Sequence, residues 1–472
     1  MKTLFRWIIR TLLALLALLV IFIVVLVAAN WQDEPLTPEA ARLLAPPESL
    51  LSPSSDEPNA YYVWLSMSYA PDDEDALTAG KRLHDEYSRQ FRENPTVEKD
   101  DSDQSHSKKI ADAIADIEKF HCDQTDCADF YLSEKDDIQN LLAKQAVLRQ
   151  RYLQFSQIPA FDESVWRVMG EPHPNFILLG NVAEMRLMEA VLTLDKGNLQ
   201  TGADILMEQI RVHRRILAGS SQPLTKLTGI TLLYHDYDVL SNAIEHWPTL
   251  ARQAALTEAW QPLSEQELDM RRVIELEAAF NINTLHTVFP KQLGLSPVKE
   301  RMLRTVYLPN ATINTIARWA NEDIQSLEGN AATDEALHQA HIAKRKEEMS
   351  RIDHYSWRSI RNPVGKILLL IVYHSPGIFY EGDSKLHKLD GYIRLVALQA
   401  ALRRDNVPPN KIADYIQHTA PDLRNPYDGQ PMRWDATTST LSFEGRQENN
   451  ANPSDAPKTF SVQLRAPQAS GQ

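Results

Sequence analysis

The chain is poor in cysteine and glycine, and its charged residues are mostly acidic. Its 472 residues include only two cysteines and 16 glycines. So few glycines, with strand-like alternation rare before residue 430, favour helices over sheets. Asp and Glu outnumber Lys and Arg by 63 to 49, which gives a net charge of −14. Because nucleic-acid-binding proteins are usually basic, we expect no nucleic-acid partner.

The common catalytic motifs are also missing. The sequence contains no GxSxG nucleophile elbow, no phosphate-binding GxxxxGK[ST] loop, no HExxH zinc motif and no GxGxxG after a strand. We therefore predict no catalytic, cofactor-binding or metal-binding residues, and no cofactor.

One long apolar run dominates the N-terminal region. Residues Thr11 to Ala29 carry no charge, and about 18 apolar residues suffice to cross the roughly 30 Å core of a bilayer. Arg6 and Arg10 precede the run, whereas Asp33 and Glu34 follow it. This charge asymmetry predicts a cytoplasmic N-terminus. The expected protein crosses the bacterial inner membrane once and has its bulk in the periplasm.

A cleaved signal peptide is the alternative interpretation of the same run, with Val27 and Ala29 as the small residues before the cleavage site. However, the apolar core of a signal peptide usually spans about 7–15 residues, and this one is longer. Trp7 and Trp31 bracket the run where interfacial aromatics are expected, which favours a retained anchor. No cysteine directly follows the run, which excludes a lipoprotein anchor.

The two cysteines, Cys122 and Cys127, lie close together in the segment HCDQTDC. On one continuous helix they would be separated by roughly 140° of rotation, too far around for a disulfide. A turn, which the Asp, Gln and Thr residues between them permit, would bring them together, and an oxidising compartment favours that disulfide. Two alternatives remain: an incomplete metal site with His121, and two unreacted thiols.

The predicted fold is mostly α, with an array of helical hairpins outside the membrane. The predicted organisation is a cytoplasmic stub at 1–10, a transmembrane helix at 11–30, a Pro- and Ser-rich tether at 31–58, an α-helical ectodomain at 59–404 and a C-terminal tail at 405–472 with a short helix and a small antiparallel β meander.

Two hairpins are predicted in detail. The segment from Val182 to Leu217 has helical periodicity and is interrupted by Gly197, which suits a left-handed C-cap. Periodic segments at 110–120 and 138–155 predict another hairpin, with the cysteine turn at its tip.

Three other local patterns are informative. Ser264 and Glu267 have the spacing of a capping box, which predicts a helix start. Ile367 to Tyr373 is the most apolar stretch after the anchor, and because it is too short to span a membrane we predict that it is buried core. In the tail, alternating apolar residues predict strands near 432–434, 441–443 and 460–464.

Histidines and acids in two places suggest weak candidate sites. His338 and His341 lie one helical turn apart, with Glu335 a turn earlier, but the flanking Lys344 and Arg345 disfavour a bound cation. A solvated helix face is the expected alternative.

The other place is the segment YHDYD, which contains His235, Asp236 and Asp238. We expect the two tyrosines to take its buried positions. The acids would then face outward or cap a neighbouring element.

A basic helix is predicted within this acidic protein, from Arg345 through Arg351 and Arg358 to Arg361. It could contact an acidic partner or an anionic polymer. Intramolecular charge pairing is the favoured interpretation.

Several recognisable segments span most of the predicted ectodomain. They are NAYYVWL from Asn59, YLPNATIN from Tyr307, RNPVGKILL from Arg361, LDGYIRLVALQAALR from Leu389 and NPYDGQPMRW from Asn425. Together they resemble a family of uncharacterised single-anchor envelope proteins of proteobacteria. The layout of the tail is similar to that of major pseudopilins, in which a helix leads through a proline-marked loop to a short sheet. The resemblance implies no activity and no functional residues.

Two functions follow as hypotheses. The missing catalytic motifs and the hairpin-rich body favour a non-catalytic interaction or scaffolding protein that contacts the bilayer through residues 11–30 and binds an envelope protein partner. The alternative is a hydrolase of an envelope polymer, in which two carboxylates at about 5–10 Å would act as a pair.

Overall fold

The computed structural model is mostly helical and has one small antiparallel sheet, as predicted. It describes residues 2–44, 58–68, 74–93, 104–122, 126–163, 173–288, 296–303, 305–327, 335–353, 360–373, 377–445 and 459–465.

The α-helices are α1 (Lys2–Ala29), α2 (Pro38–Leu44), α3 (Ala60–Ser66), α4 (Ala76–Glu93), α5 (Gln104–Ile117), α6 (Cys127–Ser133), α7 (Lys135–Lys144), α8 (Ala146–Gln157), α9 (Phe176–Asp195), α10 (Leu199–Gly219), α11 (Pro223–His246), α12 (Glu265–Leu268), α13 (Arg271–Asn283), α14 (Pro297–Leu303), α15 (Pro309–Leu327), α16 (Glu335–Asp353), α17 (Pro363–Val372), α18 (Ile378–Arg404) and α19 (Ile412–Gln417). Short 3-10 helices span Glu118–Phe120, Pro248–Arg252, Ala254–Trp260, Pro409–Lys411 and Pro421–Leu423, and a π turn spans Thr284–Val288.

The chain divides into two units. Unit 1 comprises Met1–Glu48, Glu275–Ser326 and Ala336–Ile378, and unit 2 comprises Ser49–Ile274, Leu327–Glu335 and Phe379–Gln472. The predicted boundaries of a single ectodomain at 59–404 do not coincide with this division, because the N-terminal helix shares a unit with two later segments.

Helix α1 in unit 1 is the one helix of the described chain that is long and apolar enough to cross a membrane, over Leu4–Ala29. Within the structure 0% of its apolar window is buried. Side chains such as Leu13 and Phe22 expose more than half of their surface. The described residues of the predicted stub at 1–10 belong to the same helix.

The C-terminal end of α1 is fixed to the rest of unit 1 by a small set of hydrogen bonds. The side-chain amide of Asn30 donates to the carbonyl of Ile360 at 2.8 Å, and its oxygen accepts from the N–H of Asn362 at 2.7 Å. The guanidinium of Arg361 donates to the carbonyl of Ala29 at 3.0 Å. A cation at this position satisfies a terminal carbonyl and complements the negative end of the helix dipole.

Residues 31–44, predicted as part of the tether, instead pack within unit 1. The carboxylate of Asp33 accepts hydrogen bonds from the N–H groups of Asn310 and Ala311, at 2.8 and 3.0 Å, and so caps the start of α15. Helix α2 begins at Pro38 and buries Ala40 and Leu43. Residues 45–57 of the predicted tether lie outside the described residues.

The predicted hairpin in unit 2 is confirmed as α9 and α10. Gly197 joins them with a φ of +82°, the left-handed conformation that glycine adopts at low cost. Along α10 one face is buried, and it includes Leu206, Ile210 and Leu217. Helix α11 packs against the pair, and together the three helices supply much of the core of this unit.

The second predicted hairpin is only partly correct. The segment predicted as one helix at 138–155 is divided between α7 and α8, because Gln145 leaves helical backbone angles and ends the first helix. The capping box of Ser264 and Glu267 is present, but the helix that it starts, α12, has only four residues.

The C-terminal sheet is the predicted meander, with β1 (Arg433–Asp435), β2 (Thr440–Glu444) and β3 (Thr459–Gln463) in the order β1-β2-β3. Leu441, Phe443 and Val462 alternate with polar residues and are buried. Phe443 lies against Gly391 of α18, where an added Cβ would come within 2.5 Å of the ring. The glycine therefore permits the sheet to pack closely on that helix.

The apolar stretch Ile367–Tyr373 is not uniformly buried core. Leu368 and Leu369 are buried, whereas Ile367 and Ile371 expose 57% and 64% of their surface. The two exposed isoleucines lie one helical turn apart on α17, so they share a face that the helix does not turn toward the core.

Candidate functional site

A buried glutamate, Glu184, gathers several polar groups in unit 2. It lies in α9 and is 4% exposed. Its Oε2 lies 2.7 Å from Nδ1 of His121, while its Oε1 accepts hydrogen bonds from the N–H of Cys122 at 2.9 Å and from the hydroxyl of Tyr131 at 3.1 Å. A buried carboxylate needs such partners to offset its lost hydration. These bonds hold the segment before the disulfide against α9.

His235 of α11 completes the group, which we name the Glu184 cluster: His121, Tyr131, Glu184 and His235. Nε2 of His235 lies 3.4 Å from the Tyr131 hydroxyl and 3.7 Å from Oε1 of Glu184. The His121 side chain is 60% exposed and that of His235 is 21% exposed. The cluster is therefore open to solvent on its histidine side.

The chemistry available to the Glu184 cluster is hydrogen bonding and proton exchange. Burial, reinforced by the charge of Glu184, raises the pKa of Tyr131, so that the phenol remains a donor. The carboxylate orients the His121 ring through Nδ1, an arrangement used in both acid–base and metal sites. Among the described residues, however, the cluster does not bring three ligand atoms within 4.8 Å of one another, as a metal site would.

The disulfide geometry is present beside this cluster. The sulfur atoms of Cys122 and Cys127 lie 2.14 Å apart, and their Cα atoms are separated by 5.6 Å. Cys127 begins α6, and its N–H donates to the side chain of Asn242. The alternative of a metal site with His121 is not supported, because the ring is held by Glu184 and both sulfurs are bonded to each other.

A second polar group in unit 2 is completely enclosed. The Tyr152 hydroxyl lies 3.1 Å from Nε2 of His213, whose Nδ1 lies 2.6 Å from Oδ2 of Asp236. All three residues are at most 1% exposed, and burial raises the pKa of Asp236 although His213 opposes the change. A Tyr–His–Asp chain without access to solvent cannot reach a substrate. We therefore assign it a structural role, in which its hydrogen bonds favour one specific packing of the core.

The residues of YHDYD do not act together. Asp236 points into the core and pairs with His213, so it neither faces outward nor caps a neighbouring element as expected, whereas Asp238 is exposed as expected. Tyr237 is buried as predicted, while Tyr234 is only partly covered. The helix period explains the difference, since residues 236 and 237 lie on the face that α11 turns toward α10.

A cluster with metal-ligand composition occurs at Asp126, Asp129 and His246. An arginine already occupies it. The guanidinium of Arg465 donates to both carboxylates and lies 3.0 Å from Nε2 of His246. Burial alone would raise the pKa of Asp126, but its bond to His246 and the charge of Arg465 outweigh burial and lower it. The cluster thus joins the end of the C-terminal sheet to α6 rather than binding a cation.

A groove in unit 2 has a volume of about 600 Å³. Three glutamates face it. They are Glu208, Glu258 and Glu267, each paired with an arginine, at 2.7, 2.7 and 2.6 Å. The hydrogen bond from Arg211 lowers the pKa of Glu258. At Glu267, burial alone would raise the pKa, but the hydrogen bond and charge of Arg214 outweigh burial and lower it. A glycosidase acid needs a raised pKa, which neither Glu258 nor Glu267 has.

The histidines of α16 do not converge on a metal and do not form a solvated face. Nε2 of His338 lies 2.7 Å from the carbonyl of Ser326, and Nε2 of His341 lies 2.9 Å from Oδ1 of Asp323. Both rings are largely covered. The side chain of Glu335 lies outside the described residues.

The predicted basic helix is divided, and its arginines have internal partners where the structure describes them. Arg345 is 3% exposed, pairs with Asp323 at 3.2 Å and stacks on the ring of Trp319. Arg351 pairs with Glu347 at 2.6 Å. Helix α16 ends before Arg361, which precedes α17 instead. The prediction of intramolecular pairing is confirmed for these three arginines, and Arg358 lies outside the described residues.

Comparison with family models, with curated proteins and with solved structures finds no match to this chain. The resemblance to an envelope family therefore stays a prediction, and the site must be judged from its geometry.

Sequence reasoning did not find the Glu184 cluster. Its four members come from segments up to 114 positions apart by numbering, from 121 to 235, and no local spacing unites them. One signal was available: Glu184 is a single acid within the apolar run FILLGNVAEM of a helix that is buried on most sides. A buried acid requires hydrogen-bond partners, and this requirement could have directed a search for His and Tyr residues in other segments.

Proposed function

We propose that this chain is an envelope protein anchored in the bacterial inner membrane, with its N-terminus in the cytoplasm and its body in the periplasm, and that the body binds another envelope component without catalysing a reaction. The observation that carries the proposal is the bare surface of α1. A soluble protein seldom leaves so large an apolar surface uncovered, whereas lipid tails would cover it fully.

The attachment of α1 to unit 1 supports a retained anchor over a cleaved signal peptide. Asn30, Arg361 and Asp33 bond the end of the helix and the residues after it to α15 and to the start of α17. Cleavage after Ala29 would remove the carbonyl that accepts from Arg361. The orientation rests on charge, since Arg6 and Arg10 precede the apolar run and acids follow it.

The state of the carboxylates favours interaction over hydrolysis. Acids in the described groove and clusters are paired with arginine, histidine or tyrosine, and where the pKa of a groove acid is shifted it is lowered. A carboxylate that a neighbouring arginine holds in its charged form is a poor proton donor to a leaving group. No observation within the described residues favours the hydrolase alternative.

Unit 2 offers an apolar surface on which a partner can dock. Ile177 and Leu224 lie in the first turns of α9 and α11 and expose 62% and 53% of their surface. These two helices run in the same direction because α10 returns between them, so both side chains lie at one end of the three-helix core. We propose this end of the core as the docking surface, because a bound partner would cover both side chains.

In-cell crosslinking tests the interaction. A photoreactive amino acid at Ile177 should yield a discrete crosslinked species that contains a second envelope protein. The same residue at Thr201, which is exposed at the start of α10, is the matched control and should not yield it. If neither position captures a protein and the purified chain degrades cell-wall material, the proposal is wrong.

A further inference from the structure

A charged cleft of about 380 Å³ lies in unit 1 beside the end of α1. Four cations and two carboxylates are among the described residues that line it: Arg318, Arg351, Arg361 and Lys366, with Glu34 and Glu348. In a chain of net charge −14, a cleft with an excess of positive charge is unusual. A local excess of this sign attracts anions.

The two carboxylates of the cleft are already engaged. Glu348 accepts a hydrogen bond from Nε1 of Trp319 at 2.8 Å and pairs with Arg318 at 3.3 Å. Glu34 pairs with Arg361 at 3.3 Å. The ion pair of Arg351 is made with Glu347, which is 65% exposed and does not line the cleft. Among the described residues that line the cleft, cations thus outnumber carboxylates by four to two, and Arg351 and Arg361 share their charge with exposed acids.

Two of these cations are close enough to influence each other. Burial, together with the charge of Arg361, lowers the pKa of Lys366. A bound anion would favour the charged form of this amine and relieve the repulsion between the two side chains.

With α1 as the proposed anchor, the cleft would lie at the level where the helix leaves the membrane. Arg361 donates to the carbonyl of Ala29, the last residue of α1, and Trp31 is 77% exposed two residues later. Trp and Arg at such positions lie among lipid headgroups. On α17, the helix that carries Lys366, Ile367 and Ile371 expose an apolar surface suited to acyl chains.

We propose that this cleft binds the phosphate of an anionic phospholipid headgroup, with Arg351, Arg361 and Lys366 as donors and the exposed isoleucines of α17 against the acyl chains. The inference rests on the proposed membrane anchor for its choice of lipid over free phosphate. It assigns unit 1 a second contact with the bilayer beyond the transmembrane helix.

Calorimetric titration of the full chain in a non-ionic detergent tests the proposal. The probes are a short-chain phosphatidylglycerol, phosphatidylcholine of the same chain length, and inorganic phosphate. We expect saturable binding of phosphatidylglycerol and much weaker binding of the other two. Equal affinity for the two lipids would overturn the role of the cations, and equal affinity for free phosphate would overturn the assignment to lipid.

Variants identify the cleft as the site. Lys366→Gln should weaken binding of phosphatidylglycerol roughly fivefold, the usual contribution of one cation near an anionic lipid surface. Arg351→Gln should act similarly, and because this side chain is 68% exposed the change should leave the fold intact. Lys346→Gln, an exposed position of the same helix α16 outside the cleft, is the control and should bind as the wild type does.

If Arg351→Gln and Lys366→Gln both bind as the parent protein does, the cleft is not the site. Since the titration is done in detergent, it is independent of membrane orientation. A failure of the anchor proposal would appear in topology reporters instead, so the two outcomes are distinguishable.

Discussion

Lys226, a buried lysine in unit 2, should make the free energy of unfolding of this protein rise with pH in the alkaline range. It is 2% exposed, and its ammonium donates to the carbonyls of Leu217 and Asp269 at 2.8 and 3.0 Å. Burial lowers its pKa from 10.5 to about 8, although nearby acids oppose the change. One pKa unit corresponds to about 1.4 kcal/mol. Keeping this amine charged at neutral pH therefore costs about 3 kcal/mol of folding free energy.

The sign follows from proton binding. Between pH 8 and 10.5 the unfolded chain holds more protons at this lysine than the native chain does, so the free energy of unfolding rises with pH. Lys226→Met keeps the length of the side chain and removes its charge. Between pH 8 and 10.5 the free energy of unfolding of the wild type should rise by about 3 kcal/mol relative to that of this variant, with a slope of up to about 1.4 kcal/mol per pH unit.

Urea denaturation of the full chain in non-ionic detergent, followed by circular dichroism at several pH values, measures the gain. Buried tyrosines such as Tyr237, whose pKa burial raises, lower the stability of both proteins at high pH and cancel in the comparison. Lys411→Met, at an exposed position, should follow the wild type. Parallel curves for the wild type and Lys226→Met from pH 7 to 10 would refute the reasoning.

Three further predictions concern other parts of unit 2. Thiol labelling of unfolded, unreduced protein should find no free sulfhydryl at Cys122, and two labelled thiols would contradict the disulfide. Loss of this short disulfide loop should lower the free energy of unfolding by roughly 2 kcal/mol. Gly80→Ala places a Cβ 1.8 Å from the carbonyl of Tyr62 and should cost about 2 kcal/mol or more in denaturant titrations. The cost should exceed that of Gly197→Ala, whose added Cβ meets no atom within 4 Å and which carries only the strain of a positive φ, about 1 kcal/mol. Arg465→Ala should cost about 1–2 kcal/mol at pH 7, less than a fully buried pair because Arg465 is 38% exposed. Since the pKa of Asp126 is lowered, this difference should shrink as the pH falls below about 4, and a constant difference would contradict the assigned pairing.

Local patterns in the sequence predicted much of the fold. The hairpin at Gly197, the capping box at Ser264 and the three strands depend on residues close together in the chain, and each is present. Composition and one apolar run were enough for the mostly α class and for the candidate anchor.

Contacts between distant segments could not be predicted in this way. The bond between Asn30 and Asn362 joins residues 332 positions apart, and it turns the predicted start of a tether into part of a folded unit. The same limit applies to Glu184 and to the pairing of Arg465 with Asp126. Exposure of Ile367 and Ile371 was missed for another reason, because an apolar run does not reveal which of its faces meets the core.

A measurement of membrane topology tests most directly the proposal that α1 anchors the protein with its body outside the cytoplasm. Two reporters fused after Gln472 in a bacterial host measure it: alkaline phosphatase, which is active only after export, and green fluorescent protein, which is fluorescent only in the cytoplasm when carried by this export route. We expect active phosphatase in the membrane fraction, no fluorescence, and loss of phosphatase activity when residues 2–29 are deleted. A fluorescent, phosphatase-inactive fusion would contradict it.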